Sequence, residues 1–179
     1  MKVHSSLMTA INGARNLKIT IAKARKEHLE DCEAALLNSK LGQEYFGSEE
    51  KVHSALTQGI TKKEMFVAID EAGKCLGFIW FIVAGAFHSF PYLHIIAVKE
   101  EFRGKGVGKK LLRFFEEAVF ADYSKVFLVV ADFNPEAKRL YESLGYRQVG
   151  VIPGLYKEGV SEQLMMKNRE NIKESQSQL

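Results

Sequence analysis

One stretch constrains this chain more than any other. It runs from Tyr92 to Phe120 and reads YLHIIAVKEEFRGKGVGKKLLRFFEEAVF. An apolar, strand-like run from Tyr92 to Val98 leads through a charged connection to Arg103-Gly104-Lys105-Gly106-Val107-Gly108. A helix-period pattern follows at once. Val107, Leu111, Leu112, Phe115, Ala118 and Val119 fall on one stripe, and Lys109, Lys110, Arg113, Glu116 and Glu117 on a solvated face. A strand, a glycine turn and a helix start make a site for an anionic group. The first helical N–H groups have no partner of their own, and the helix dipole is positive there. Glycines let that backbone approach a ligand closely.

The order of elements around this stretch predicts an α/β domain. Leu17 to Ala22 alternates as a half-buried strand, and Lys23 to Leu37 carries a helical stripe through His28, Cys32, Ala35 and Leu36. Gly42 interrupts it. Ser48 caps a second helix through Ala55 and Leu56, which Gly59 is placed to end. Met65 to Asp70 and Cys75 to Ala84 form a hairpin around Glu71-Ala72-Gly73-Lys74. Gly85 to Pro91 is read as the loop into the Tyr92 strand, with Pro91 at that strand's start. Val126 to Val130 is a continuous apolar run, as in a strand buried on both faces and paired in parallel. Strand, helix and strand then imply a right-handed crossover. Asn134-Pro135 opens a helix that Gly145 ends, with Ala137, Leu140, Tyr141 and Leu144 on one face. Two strands, Tyr146 to Ile152 and Gln163 to Met166, close the domain.

Length and composition bound the function classes. A chain of 179 residues suits one domain with a substantial core. Residues 1–16 read as a loose N-terminal segment, 17–167 as the domain and 168–179 as a polar tail. A formal charge of +3, with no Lys/Arg run, gives no reason to expect nucleic acid as a partner. The longest apolar run, Leu76 to Phe87, is too short to cross a bilayer, and no secretory leader is visible. Cys32 and Cys75 are the only cysteines and form no CxxC pair, so a reducing, cytoplasmic setting is expected without a cysteine metal site. The histidines show no metal-ligand spacing, and no metal is expected.

Two familiar phosphate loops fail. A P-loop would need glycine where Arg103 stands and a hydroxyl where Lys110 stands, and a dinucleotide fingerprint would need glycine at Lys109. What remains is Arg-x-x-Gly-x-Gly. Between a strand and a helix, that pattern resembles the acyl-CoA pyrophosphate loop of the GCN5-related N-acetyltransferases (GNAT). Ile96 to Gly108 is similar to the family's central motif and Asn134 to Tyr146 to its next one, correctly ordered. Glu100 departs from the proline that many members carry, which should alter only the stiffness of the connection.

The resemblance implies a single-domain GNAT-like mixed twisted sheet of about seven strands, flanked by helices, whose parallel central strands splay apart. It implies that the main chain across Arg103, Gly104, Lys105, Gly106, Val107 and Gly108 holds the pyrophosphate of acetyl-CoA. The backbone of Ala97 and Val98 would bind the pantetheine arm, and a main-chain N–H there would steady the developing oxyanion. Asn134 has a complete explanation as a helix cap, to which the resemblance adds a cofactor contact. Tyr141 fits a core aromatic and, by resemblance, the acid that protonates the leaving thiolate. The base is either His94 or a water positioned by Tyr92. The expected activity is acetyl transfer to a primary amine, of a peptide or a small molecule, by a monomer or homodimer. A non-catalytic acyl-CoA-binding regulatory module is the alternative. The acceptor would meet Glu44–Phe46, the Gly85–Pro91 loop and the Pro153–Ser161 loop with Tyr156, and Tyr156 before a short return strand is similar to the peptide amino-terminal acetylating branch.

Overall fold

The computed structural model describes residues 18–169. The segment 1–16 and the tail beyond 169 lie outside the described residues. Seven strands form one sheet: β1 (Thr20–Lys23), β2 (Met65–Ile69), β3 (Cys75–Ala86), β4 (Phe90–Val98), β5 (Lys125–Ala131), β6 (Arg147–Pro153) and β7 (Ser161–Asn168). Their order across the sheet is β1-β2-β3-β4-β5-β7-β6, with every neighbouring pair antiparallel except β4 and β5. Four helices flank it: α1 (Leu29–Leu37), α2 (Glu49–Thr61), α3 (Val107–Val119) and α4 (Pro135–Ser143). None of the described helices is long and apolar enough to cross a membrane.

The sheet separates two cores. Strand side chains alternate between faces, and β3 shows the sorting residue by residue. Cys75, Phe78 and Trp80 join Cys32, Leu36, Val52 and Leu56 beneath α1 and α2. Leu76, Ile79 and Phe81 join Leu111, Leu112 and Phe115 of α3 and Tyr141 of α4. From Cys75 to Phe81 both faces of β3 are therefore dry, which is why that stretch is a nearly unbroken apolar run.

Local signals place most element ends. Ser48 accepts a hydrogen bond from the Lys51 N–H (3.3 Å), and Asn134 accepts one from Ala137 (3.3 Å) with Pro135 at the first helical position. Gly145, at φ 89°, ends α4, where the Tyr146 N–H donates to the Tyr141 carbonyl at 3.1 Å. Two expectations need correcting. Gly59 does not end α2; it lies inside the helix, where a Cβ would come within 2.6 Å of Met65 Sδ. The expected Gly85–Pro91 loop is mostly strand, leaving only Phe87-His88-Ser89 between β3 and β4, so Pro91 is the second residue of β4.

Candidate active site

The site begins where the two parallel strands part. β4 and β5 pair only at Tyr92–Phe127 and Leu93–Leu128, although β4 runs on to Val98 and β5 to Ala131. The cause is visible in the opposite ladder. Trp80 pairs with Ile95 but Phe81 pairs with Leu93, so His94 is an extra residue, a β-bulge. Beyond it β4 bends away, and a cavity of about 1000 Å³ opens between the strands. The bulge also resets which side chains face which core. Ile95 sits with Trp80 on the α1/α2 side, and Leu93 with Phe81 on the other.

Main-chain direction along the gap follows from one hydrogen bond. The Lys99 N–H donates to the Leu76 carbonyl at 2.9 Å, so by alternation Ala97 and Ile95 also point toward β3. Ile96 and Val98 point toward the gap. A backbone contact with a ligand there suits Val98, whereas the amide and carbonyl of Ala97 are turned the other way.

At one end of the gap lies the glycine turn. Gly104 (φ 72°) and Gly106 (φ 83°) hold left-handed conformations, and neither would bring a Cβ near any other protein atom. The N–H groups from Gly104 to Lys109 have no partner among the described residues, and the first helical bond runs from the Lys110 N–H to the Gly106 carbonyl (3.0 Å). Gly108 leaves open space as well, its nearest neighbour to a built Cβ being Leu140 at 3.8 Å. Six free donors around a turn without side-chain bulk are what a pyrophosphate requires. The Arg103 side chain points elsewhere. Its guanidinium donates to the carbonyls of Val98 (3.1 Å) and Asn38 (2.8 Å), bracing the turn against β4 and the end of α1. Lys105 sits with its ammonium 5.4 Å from the Phe102 ring.

Tyr141, His94, Tyr92 and Asn134 all border the same cavity. Tyr141 is buried, with its ring 5.8 Å from that of Tyr146, and burial pushes its hydroxyl far above the ordinary phenol range. The hydroxyl has no hydrogen-bond partner among the described residues. The His94 ring packs edge-on to Trp80 at 4.6 Å, and burial lowers its pKa below 6.5, so the neutral ring prevails at neutral pH. Tyr92 lies 6.2 Å from His94, centroid to centroid, and shares a hydrogen bond of 3.0 Å with the Tyr156 hydroxyl.

Sequence reasoning missed one residue outright. Glu162, near the start of β7, is only 2 % exposed and borders the cavity, where the Tyr45 hydroxyl donates to its Oε1. The available signal was a carboxylate at an inward-facing position of a strand, which is costly to bury without a purpose.

Residues 30–146 match the model of the Acetyltransferase (GNAT) family. The chain belongs to this family. It is 39 % identical over 84 residues to an uncharacterized N-acetyltransferase of Methanocaldococcus jannaschii, covering 45 % of this chain and 54 % of that one. Over 87 residues it is 33 % identical to the N-alpha-acetyltransferase RimI of Mycobacterium tuberculosis, covering 48 % and 54 %. The chain thus spans about half the length of these curated relatives. Its fold is similar to that of the spermidine N-acetyltransferase of Vibrio cholerae in complex with CoA and spermine (TM-score 0.66, 19 % identity, 84 % of this chain and 95 % of that one).

Proposed function

We propose that this chain moves the acetyl group of acetyl-CoA to a primary amine by direct attack in a ternary complex. The observation that carries the reading is the gap between β4 and β5, which joins unpaired N–H groups at the glycine turn to Tyr141 and His94. Acetyl-CoA is a co-substrate here, and family membership supports it as the donor. The main chain from Gly104 to Lys109 would hold its pyrophosphate, and the gap-facing Val98 backbone its pantetheine arm. Asn134, already capping α4, borders the same cavity and would contact that arm.

In the transfer, the neutral amine nitrogen bonds to the thioester carbonyl carbon as the carbon–sulfur bond breaks. A gap-facing main-chain N–H of β4 steadies the charge that develops on the carbonyl oxygen. Tyr141 donates its proton to the departing sulfur. Burial raises the phenol's proton affinity, but it raises that of a thiolate in the same cavity too, so the transfer is not penalised on one side alone. The proton lost by the amine goes to His94, or to a water held by Tyr92.

The test is thiol release from acetyl-CoA against a panel of amines and peptides, with the acetylated product identified by mass. Release that depends on both amine and Tyr141 supports the reading. Tight CoA binding without release from any acceptor would instead make the chain an acyl-CoA-binding module.

A further inference from the structure

The acceptor half of the cavity holds a group that the transfer chemistry above leaves unused. Glu162, 2 % exposed, is the most deeply buried charged residue among the described residues. Its Oε1 accepts from Tyr45, and its Oε2 has no partner among the described residues. The nearby Lys157 does not neutralise it, since Lys157 pairs with Glu44 at 2.8 Å. Asp132, bonded to the Ser161 N–H at 3.1 Å, adds negative potential rather than relieving it. A carboxylate so placed is stabilised most by a cation.

The surroundings suit a cation of one kind. The Tyr45 ring stands edge-on to Phe133 (5.4 Å) and to Tyr156 (5.7 Å), so the tyrosine that binds the carboxylate is one of three clustered aromatic rings bordering the same cavity as Glu162. Aromatic faces attract alkylammonium groups, most strongly where water is excluded. The rings belong to three separate segments: the α1–α2 connection, the turn after β5 and the β6–β7 loop. Tyr156 also reaches Tyr92, linking this cluster to the wall that carries His94.

A nitrogen seated there is not the nucleophile. Pairing with a buried carboxylate favours the charged form of an amine, and a charged amine has no lone pair with which to attack. We propose that Glu162, with Tyr45, Phe133 and Tyr156, is a subsite for a second, non-reacting alkylammonium group, so that the acceptor is a diamine-type molecule. This rests on the acetyl-transfer reading and adds the acceptor's class. One nitrogen is held as a cation while the other, near His94 and Tyr141, reacts.

Binding tests this without requiring turnover. Putrescine and cadaverine are titrated by calorimetry into the CoA-loaded protein, against n-butylamine and n-pentylamine as single-charge controls. The diamines are expected to bind about 30-fold tighter than the monoamines, with Glu162→Gln reducing that ratio to about 3-fold or less. Tyr156→Leu, a change at an exposed loop position, should cost the diamines about 5-fold. It covers the case in which Glu162→Gln does not fold, as judged by thermal melting and CoA affinity. Equal binding of diamines and monoamines, no measurable diamine binding, or a ratio unmoved by the variants would each overturn the subsite. A failure of the acetyl-transfer reading looks different: CoA does not bind, or no amine in the thiol-release panel yields thiol.

Discussion

In the proposed transfer Tyr141, buried, and His94, half-buried, divide the proton traffic, and each assignment has its own signature. Replacing Tyr141 by Phe removes the acid while keeping the ring against Tyr146, so kcat should fall about 100-fold with CoA affinity retained. His94 has its pKa lowered by burial, and the sign of its effect follows. The unfolded chain takes up a proton near pH 6.5 while the folded chain resists it, so stability is lost as pH falls below about 6.5. Activity should show an acid limb in the same region, and His94→Gln should lack both effects in pH–rate profiles and in urea unfolding at graded pH. Both residues border the cavity, and the sequence singled them out by their offsets from the two motifs of the family resemblance. Arg103 was legible only as a position, since nothing local shows that its guanidinium bridges to Asn38, sixty-five residues away. Glu162 offered only the signal of a carboxylate at an inward-facing strand position, because its partner Tyr45 lies 117 residues earlier.

Among the elements, the bulge in β4 and the glycine turn do the shaping. The turn could be read directly, since left-handed backbone at Gly104 and Gly106 calls for glycine. Gly106→Ala should cost about 1 kcal/mol in urea unfolding, and should weaken CoA binding by placing a methyl group beside the free N–H groups. The bulge could not be read, because it is a property of pairing between β3 and β4 rather than of either sequence. The turn at Phe87-His88 was hidden for another reason. Both residues hold positive φ (53° and 55°), a conformation bulky side chains seldom signal, so a hairpin extending β3 and β4 looked like a long loop. A second tie between elements joins β7 to α3, where Lys167 meets Glu116 at 2.7 Å with both side chains largely buried. Lys167 donates to Oε2, and Oε1 has no partner among the described residues, so Lys167→Met would leave a largely buried carboxylate unpaired and should lower stability by about 3 kcal/mol in denaturant melts.

For the molecule as a whole, a sheet packed on both faces around the first half of β3 sets the site's geometry. The α1/α2 core and the α3/α4 core hold β3 and β4 rigidly, so the bend at His94 opens a fixed cleft toward β5 instead of being absorbed by loops. The order of strands and helices was read from alternation and capping, whereas the splayed cleft was expected only from the family resemblance. The identity of the acceptor was not foreseen, because its half of the cavity is built from three connections that meet only in the folded chain. The measurement that bears most directly on the account is amine-dependent release of CoA thiol, followed with wild-type protein and Tyr141→Phe side by side. Thiol released in step with acetylated amine, slowed about 100-fold in the variant across pH, is the expected result. CoA bound with no release for any amine, or a variant that turns over at the full rate, would contradict it.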